Sequence, residues 1–193
     1  MRLFIAVPLP PELADRAAAL LPPALPGLKR VRPELMHVTL AFLGWTADDR
    51  LPAVVEAARA AAVGQPAFDL TFGPAGRFPA SGRPRVVWLG VADGGPALAA
   101  LAVEVAGELR ARELRFDDRP FAAHLTLARV ASDASAEEAK AVGTAVQRLP
   151  ILELRAPVDR IAVVQSVLSR TGPRYTELAA APLATPVSRI EPD

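Results

Sequence analysis

The sequence predicts a bilobal α+β protein with two pseudo-symmetric, mainly antiparallel sheets, helices on their outer faces and a central cleft. Three observations carry this expectation. Strand-like and helix-like runs alternate along the chain, and the order strand, helix, strand, helix, strand occurs twice. The middle strand of each set holds the same pattern, His37-Val38-Thr39-Leu40 and His124-Leu125-Thr126-Leu127. Shifting the chain by the separation of the two histidines, roughly ninety residues, superposes the two sets. Two copies of one unit imply two intertwined lobes in a single domain over residues 1–193, with repeat one about 1–80 and repeat two about 84–180.

The elements follow in order. Leu3 to Val7 reads as a strand ended by Pro8, and Glu12 to Leu21 as a helix stopped by Pro22-Pro23. Val31 to Gly44 reads as the strand that carries His37. Thr46 then stands as an N-cap, with Asp48 and Asp49 in the first turn of a helix reaching about Ala62. Phe68 to Phe72 alternates apolar and polar residues and predicts a half-buried strand. In the second set, Val86 to Val91 is the opening strand and Pro96 to about Leu114 the helix. Phe121 to Val130 is the strand that carries His124. Ser132 or Ser135 caps a helix to about Leu149, and Ile151 to Ala156 is the closing strand. Val158 to Val167 and Tyr175 to Leu178 add two strands joined through the Gly172-Pro173 turn, and the tail beyond Pro182 reads as irregular. Ser81 to Arg85 reads as an exposed loop.

Composition narrows the function. Of 193 residues, 51% are hydrophobic and 22% charged, enough apolar material for a core. A formal net charge of +1 argues against a broad grip on duplex nucleic acid, which needs a large basic surface, and leaves room for a local phosphate pocket. With no Cys there is no disulfide, thiolate metal site or cysteine nucleophile. The opening apolar run is short and cut by Pro8 and Pro10, so no signal peptide is expected, and the expected location is the cytoplasm.

The chemistry points to the two histidines, the only ones in the chain. Residues i and i+2 of a strand share a face, so His37 projects with Thr39 and His124 with Thr126, while Val38, Leu40, Leu125 and Leu127 turn to the core. A single such histidine would be an ordinary hydrogen-bonded strand residue. Two at matching repeat positions, facing each other across a cleft, suit displacement at phosphorus. One imidazole takes the proton of the attacking water and the other protonates the departing oxygen. Threonine hydroxyls, with an arginine, supply donors to the non-bridging oxygens. No metal or other cofactor is expected. The symmetry of the pair leaves the acid and base roles interchangeable.

These residues resemble a known family. His37 to Gly44 and Arg119 to Arg129 are similar to the motifs of the bacterial and archaeal RNA 2′,3′-cyclic phosphodiesterases. These were once called 2′-5′ RNA ligases and belong to the two-histidine phosphoesterase superfamily. Arg2 to Val7, Val86 to Gly90 and Arg174-Tyr175-Thr176 extend the resemblance over nearly the whole chain. It implies metal-independent hydrolysis of a terminal 2′,3′-cyclic phosphate to a 2′-phosphomonoester. By the family pattern His37 is the proton donor to the leaving 3′ oxygen and His124 the base that activates water, with Thr39 and Thr126 binding phosphate. Arg129 matches an arginine near the phosphate, and Phe42 stands at the corresponding place, where a nucleobase stacks. Both lie five residues after their histidine, where strict alternation sends them to the wrong face. They reach the cleft only if the strand ends, twists or bulges there. One departure from the family pattern is Ala123, where many relatives carry Pro. The alternatives are a reversible 2′-5′ RNA ligase and a non-catalytic RNA-end or nucleotide-binding module. The expected partners are RNA ends or cyclic nucleotides carrying a 2′,3′-cyclic phosphate, with no membrane, and the chain is expected to be a monomer.

Overall fold

The computed structural model describes residues 1–150, 153–170 and 172–185. In chain order it has β1 (Arg2–Pro8), α1 (Pro11–Ala19), β2 (Leu28–Arg30), β3 (His37–Trp45), α2 (Leu51–Ala62), β4 (Phe68–Phe78) and β5 (Val86–Asp93). These are followed by α3 (Gly95–Ala111), β6 (His124–Val130), α4 (Ala136–Gln147), β7 (Leu154–Val158), β8 (Arg160–Ser169) and β9 (Gly172–Pro182). The α+β class and the antiparallel pairing are those expected. The strands run in the order β7-β4-β5-β6-β3-β1-β8-β9, with β2 also paired to β6.

This order has a pseudo-two-fold centre between β6 and β3, the two histidine strands. Four strands lie on each side, and the halves meet at one antiparallel pair, Val38 with Leu125. The two expected sheets are therefore hydrogen-bonded into one. Neither half is built from one repeat. The pair β4–β5 joins repeat one to repeat two, and β8–β9 returns from the end of the chain to flank β1. Helix packing crosses over in the same way. From the first repeat, α1 packs on β7, while α3 of the second packs on β3 and on α2, which itself covers β8 and β9; α4 covers β4.

The helices hold the sheet through one hydrophobic cluster that includes Val38, Leu40, Leu125, Leu127, Val54, Leu98 and Leu101. Val38 and Leu125 are wholly buried. Burying side chains of this size contributes about 1.5–3 kcal/mol each, so the seam between the halves is pinned by its inward residues. The outward residues of the same strands are thereby left to the cleft.

Several boundaries differ from expectation for identifiable reasons. The strand expected from Val31 starts only at His37, because Pro33–Leu35 forms a single 3-10 turn. Likewise the second histidine strand starts at His124 rather than Phe121. Thr46 does not cap a helix. Its backbone N–H donates to the Met1 carbonyl (2.8 Å) and its carbonyl accepts from the Met1 ammonium (2.7 Å). A 3-10 turn at Asp48–Arg50 then leads into α2 with Pro in its first turn. Of the two candidate caps, Ser135 is the one used. Its hydroxyl accepts from Glu138 N–H (3.1 Å) while the Glu138 carboxylate accepts from Ser135 N–H (2.7 Å). The closing strand runs over Leu154–Val158 rather than from Ile151. Residues 151 and 152 of that expectation, Thr171 of the last turn and residues 186–193 of the tail lie outside the described residues.

Candidate active site

Each histidine opens its strand, and the chain just before it supplies the acceptor that orients it. His37 Nδ1 lies 2.7 Å from the Leu35 carbonyl oxygen and His124 Nδ1 lies 2.7 Å from the Ala122 carbonyl oxygen. A carbonyl only accepts, so Nδ1 carries the hydrogen in both rings. The tautomer is therefore the same in both, and Nε2 is left free to take or give a proton. The approach repeats in sequence, since Arg32-Pro33 and Arg119-Pro120 stand at the same distance before their histidines, while only the first forms a 3-10 turn. This longer repeat was visible in the sequence and extends the four-residue motif.

The antiparallel register about Val38 and Leu125 brings His37 across from Thr126 and Thr39 across from His124. All four side chains are half-buried, and the residues that follow them, Val38, Leu40, Leu125 and Leu127, are buried, as the alternation predicts. The alternation then breaks at the same place in both strands. Against β1, Ala6 pairs with Thr39 and Ile5 with Ala41, so Leu40 is an extra residue. Against β5, Trp88 pairs with Thr126 and Val87 with Ala128, so Leu127 is extra. These matching bulges reverse the facing beyond them. Ala41 and Ala128 are buried, while Phe42, 47% exposed, and Arg129 turn out beside the histidines. The structure thus brings together all six sequence-predicted residues, His37, Thr39, Phe42, His124, Thr126 and Arg129, on one face.

The sequence reading assigned no site role to the aromatic walls. Phe4 stacks on the His37 ring at 4.7 Å, and Tyr175 meets it edge-on at 5.5 Å. On the other side, Phe78 meets His124 edge-on at 5.1 Å, with Trp88 at 6.4 Å. Trp88 lies flat over Gly76, where an added Cβ would fall 2.2 Å from its Cη2. Arg32 donates to the Pro173 carbonyl (3.1 Å) and so ties the β8–β9 hairpin, which carries Tyr175, to the approach of His37. Phe4 and Trp88 sit on the strands that pair with the two motif strands, and no signal in the sequence marked that pairing.

Burial lowers the pKa of His37 to about 4. The hydrogen bond to Leu35 opposes the shift, and the charges of His124 and Arg129 add to it. In the free protein at neutral pH, His37 is thus an uncharged imidazole. Burial also raises the Tyr175 phenol, against the nearby charges of Arg129 and Arg2.

A family model described as the 2′-5′ RNA ligase superfamily matches residues 9–169. The chain belongs to the 2′-5′ RNA ligase superfamily. Among its relatives, an RNA 2′,3′-cyclic phosphodiesterase of Archaeoglobus fulgidus is 38% identical over 132 residues, covering 67% of this chain and 73% of the relative. One of Thermus thermophilus, with the same name, is 33% identical over 188 residues, covering 92% and 88%. Among solved structures, TT0787 of Thermus thermophilus superposes with a TM-score of 0.77 at 30% identity, covering 95% of this chain and 98% of that one. The E. coli LigT complex with 3′-AMP gives a TM-score of 0.73 at 28% identity, covering 94% and 97%. Residues 9–169 of this chain include both histidine strands and all four helices, and leave out β1 and β9.

Proposed function

We propose that this chain hydrolyses the terminal 2′,3′-cyclic phosphodiester of RNA to a 2′-phosphomonoester. The reading rests above all on two imidazoles from matching strands, both locked through Nδ1 to a backbone carbonyl, with their Nε2 atoms free. The names of the relatives point the same way.

In this reaction His124 takes a proton from water as the water oxygen bonds to phosphorus. The bond from phosphorus to the 3′ oxygen breaks, and His37 gives that oxygen its proton. Thr39 and Thr126 donate to the non-bridging oxygens, whose negative charge grows in the transition state. His37 is neutral in the free protein, so it acquires its proton as the phosphodiester anion enters beside it and favours the charged ring. Arg129 adds a fixed positive charge at the same place, and Phe42 offers a face for a base.

Replacing His37 or His124 by Ala should each lower turnover of a 2′,3′-cyclic nucleotide at least ~10³-fold with the circular dichroism spectrum retained. Wild-type rates in either variant would remove the reading. The family description also favours a second reading, joining of 2′-5′ ends, in which a 5′-hydroxyl takes the place of water as the nucleophile at the same phosphorus and the 3′ oxygen leaves as before. Product analysis with and without a 5′-hydroxyl acceptor separates the two.

A further inference from the structure

The two half-sites agree through His, Thr and the bulge, and then diverge. Beyond the bulge one carries Phe42 and the other Arg129. Their neighbours diverge in the same sense. Lys29 of β2 is paired in register with Arg129. At the matching edge of the other strand, Asp117 N–H donates to the Phe42 carbonyl (2.8 Å), and Phe116 precedes it. The Arg110 guanidinium lies 5.1 Å over the Phe116 ring. Phe116 packs against the core cluster, so the contrast within the cleft is Phe42 at one end and Arg129 with Lys29 at the other.

Residues directly paired across an antiparallel ladder project to the same face. The row Lys29, Arg129, Val86, Phe78 crosses four strands in register, and Phe78 meets the His124 ring. Lys29 therefore shares the cleft face with Arg129. Arg30, its neighbour, turns the other way and donates to the Leu21 and Pro22 carbonyls. Lys29 is exposed, and neither it nor Arg129 is in an ion pair among the described residues. From the level of His37 and Thr126 to that of Arg129 is two paired positions, about 7 Å at the strand rise. That is the scale of the step from a terminal phosphorus to the next phosphate along a single strand.

We propose that Lys29, beside Arg129, forms a subsite for the internucleotide phosphate on the 5′ side of the terminal nucleotide, so that the protein favours RNA chain ends over free cyclic mononucleotides. The proposal rests on the cyclic phosphodiesterase reading. It assigns the substrate a direction in a nearly symmetric cleft: the chain leaves over Lys29, and the Phe42 end stays clear of the backbone.

The test compares kcat/KM for a cyclic mononucleotide and for a hexaribonucleotide ending in a 2′,3′-cyclic phosphate, in wild type, Lys29→Ala, Lys29→Arg and Arg148→Ala. The last removes an equal charge from the end of α4. In Lys29→Ala the hexamer-to-mononucleotide ratio should fall about tenfold through KM. The slope of log kcat/KM against log salt for the hexamer should flatten by about 0.7, the value for one single-strand phosphate contact. Lys29→Arg should restore the ratio, and Arg148→Ala should keep it. If Lys29→Ala lowers both substrates alike, or neither, or if Arg148→Ala mimics it, the subsite is overturned while the phosphodiesterase reading stands. If the wild-type protein turns over neither substrate, both fall.

Discussion

The neutral state of His37 has a consequence for stability that can be measured without any substrate. In the unfolded chain a histidine titrates near its ordinary 6.5, and in the fold His37 titrates at about 4. Between these values the unfolded state binds the extra proton, so folding stability falls as pH drops from about 6.5 towards 4. The full difference is about 3 kcal/mol at 1.36 kcal/mol per tenfold. The ring is half open to the cleft, where water screens it, so about 2 kcal/mol is expected. His37→Asn removes the titration while its amide N–H can still reach the Leu35 carbonyl. Urea denaturation of both proteins at pH 7 and pH 4 isolates the contribution, because carboxylates and His124 are common to the two. The stability of wild type relative to His37→Asn should fall by about 2 kcal/mol from pH 7 to pH 4. A relative stability independent of pH would refute the argument that burial by Phe4 and Tyr175 keeps His37 uncharged.

Further outcomes follow from the same geometry. Thr39→Ala and Thr126→Ala should each lower kcat by about 10²-fold with little change in KM, as expected for donors used mainly in the transition state. Steady-state kinetics that show a pure KM effect would assign them to ground-state binding instead. Gly76→Ala should drive the Trp88 indole off its bed, destabilise the fold by about 1–3 kcal/mol and shift the indole fluorescence. A wild-type melting temperature and spectrum would contradict that packing.

The repeat was legible because both histidine strands carry the same alternating pattern, which alone places His37, Thr39, His124 and Thr126 on one side. Arg129 and Phe42 were legible only as a conflict. Their motif positions argued for the cleft and their parity argued against it, and the bulges at Leu40 and Leu127 resolve the conflict. A bulge depends on how a strand pairs with its neighbour, and a single strand's residues do not encode that. The exchange of strands between halves was hidden for the same reason, since β4 pairs with a strand that follows it and β1 with one near the end of the chain. Phe4, Phe78, Trp88 and Tyr175 looked like ordinary strand aromatics until pairing set them against the imidazoles. Thr46 misled because a good capping residue was already committed to the chain's first residue.

The most direct test of the account is to incubate the wild-type protein with RNA ending in a 2′,3′-cyclic phosphate and to identify the product. Conversion to a 2′-phosphomonoester, lost in both the His37→Ala and His124→Ala variants, is the predicted result. A 3′-phosphate product, or conversion that survives loss of either histidine, would contradict it.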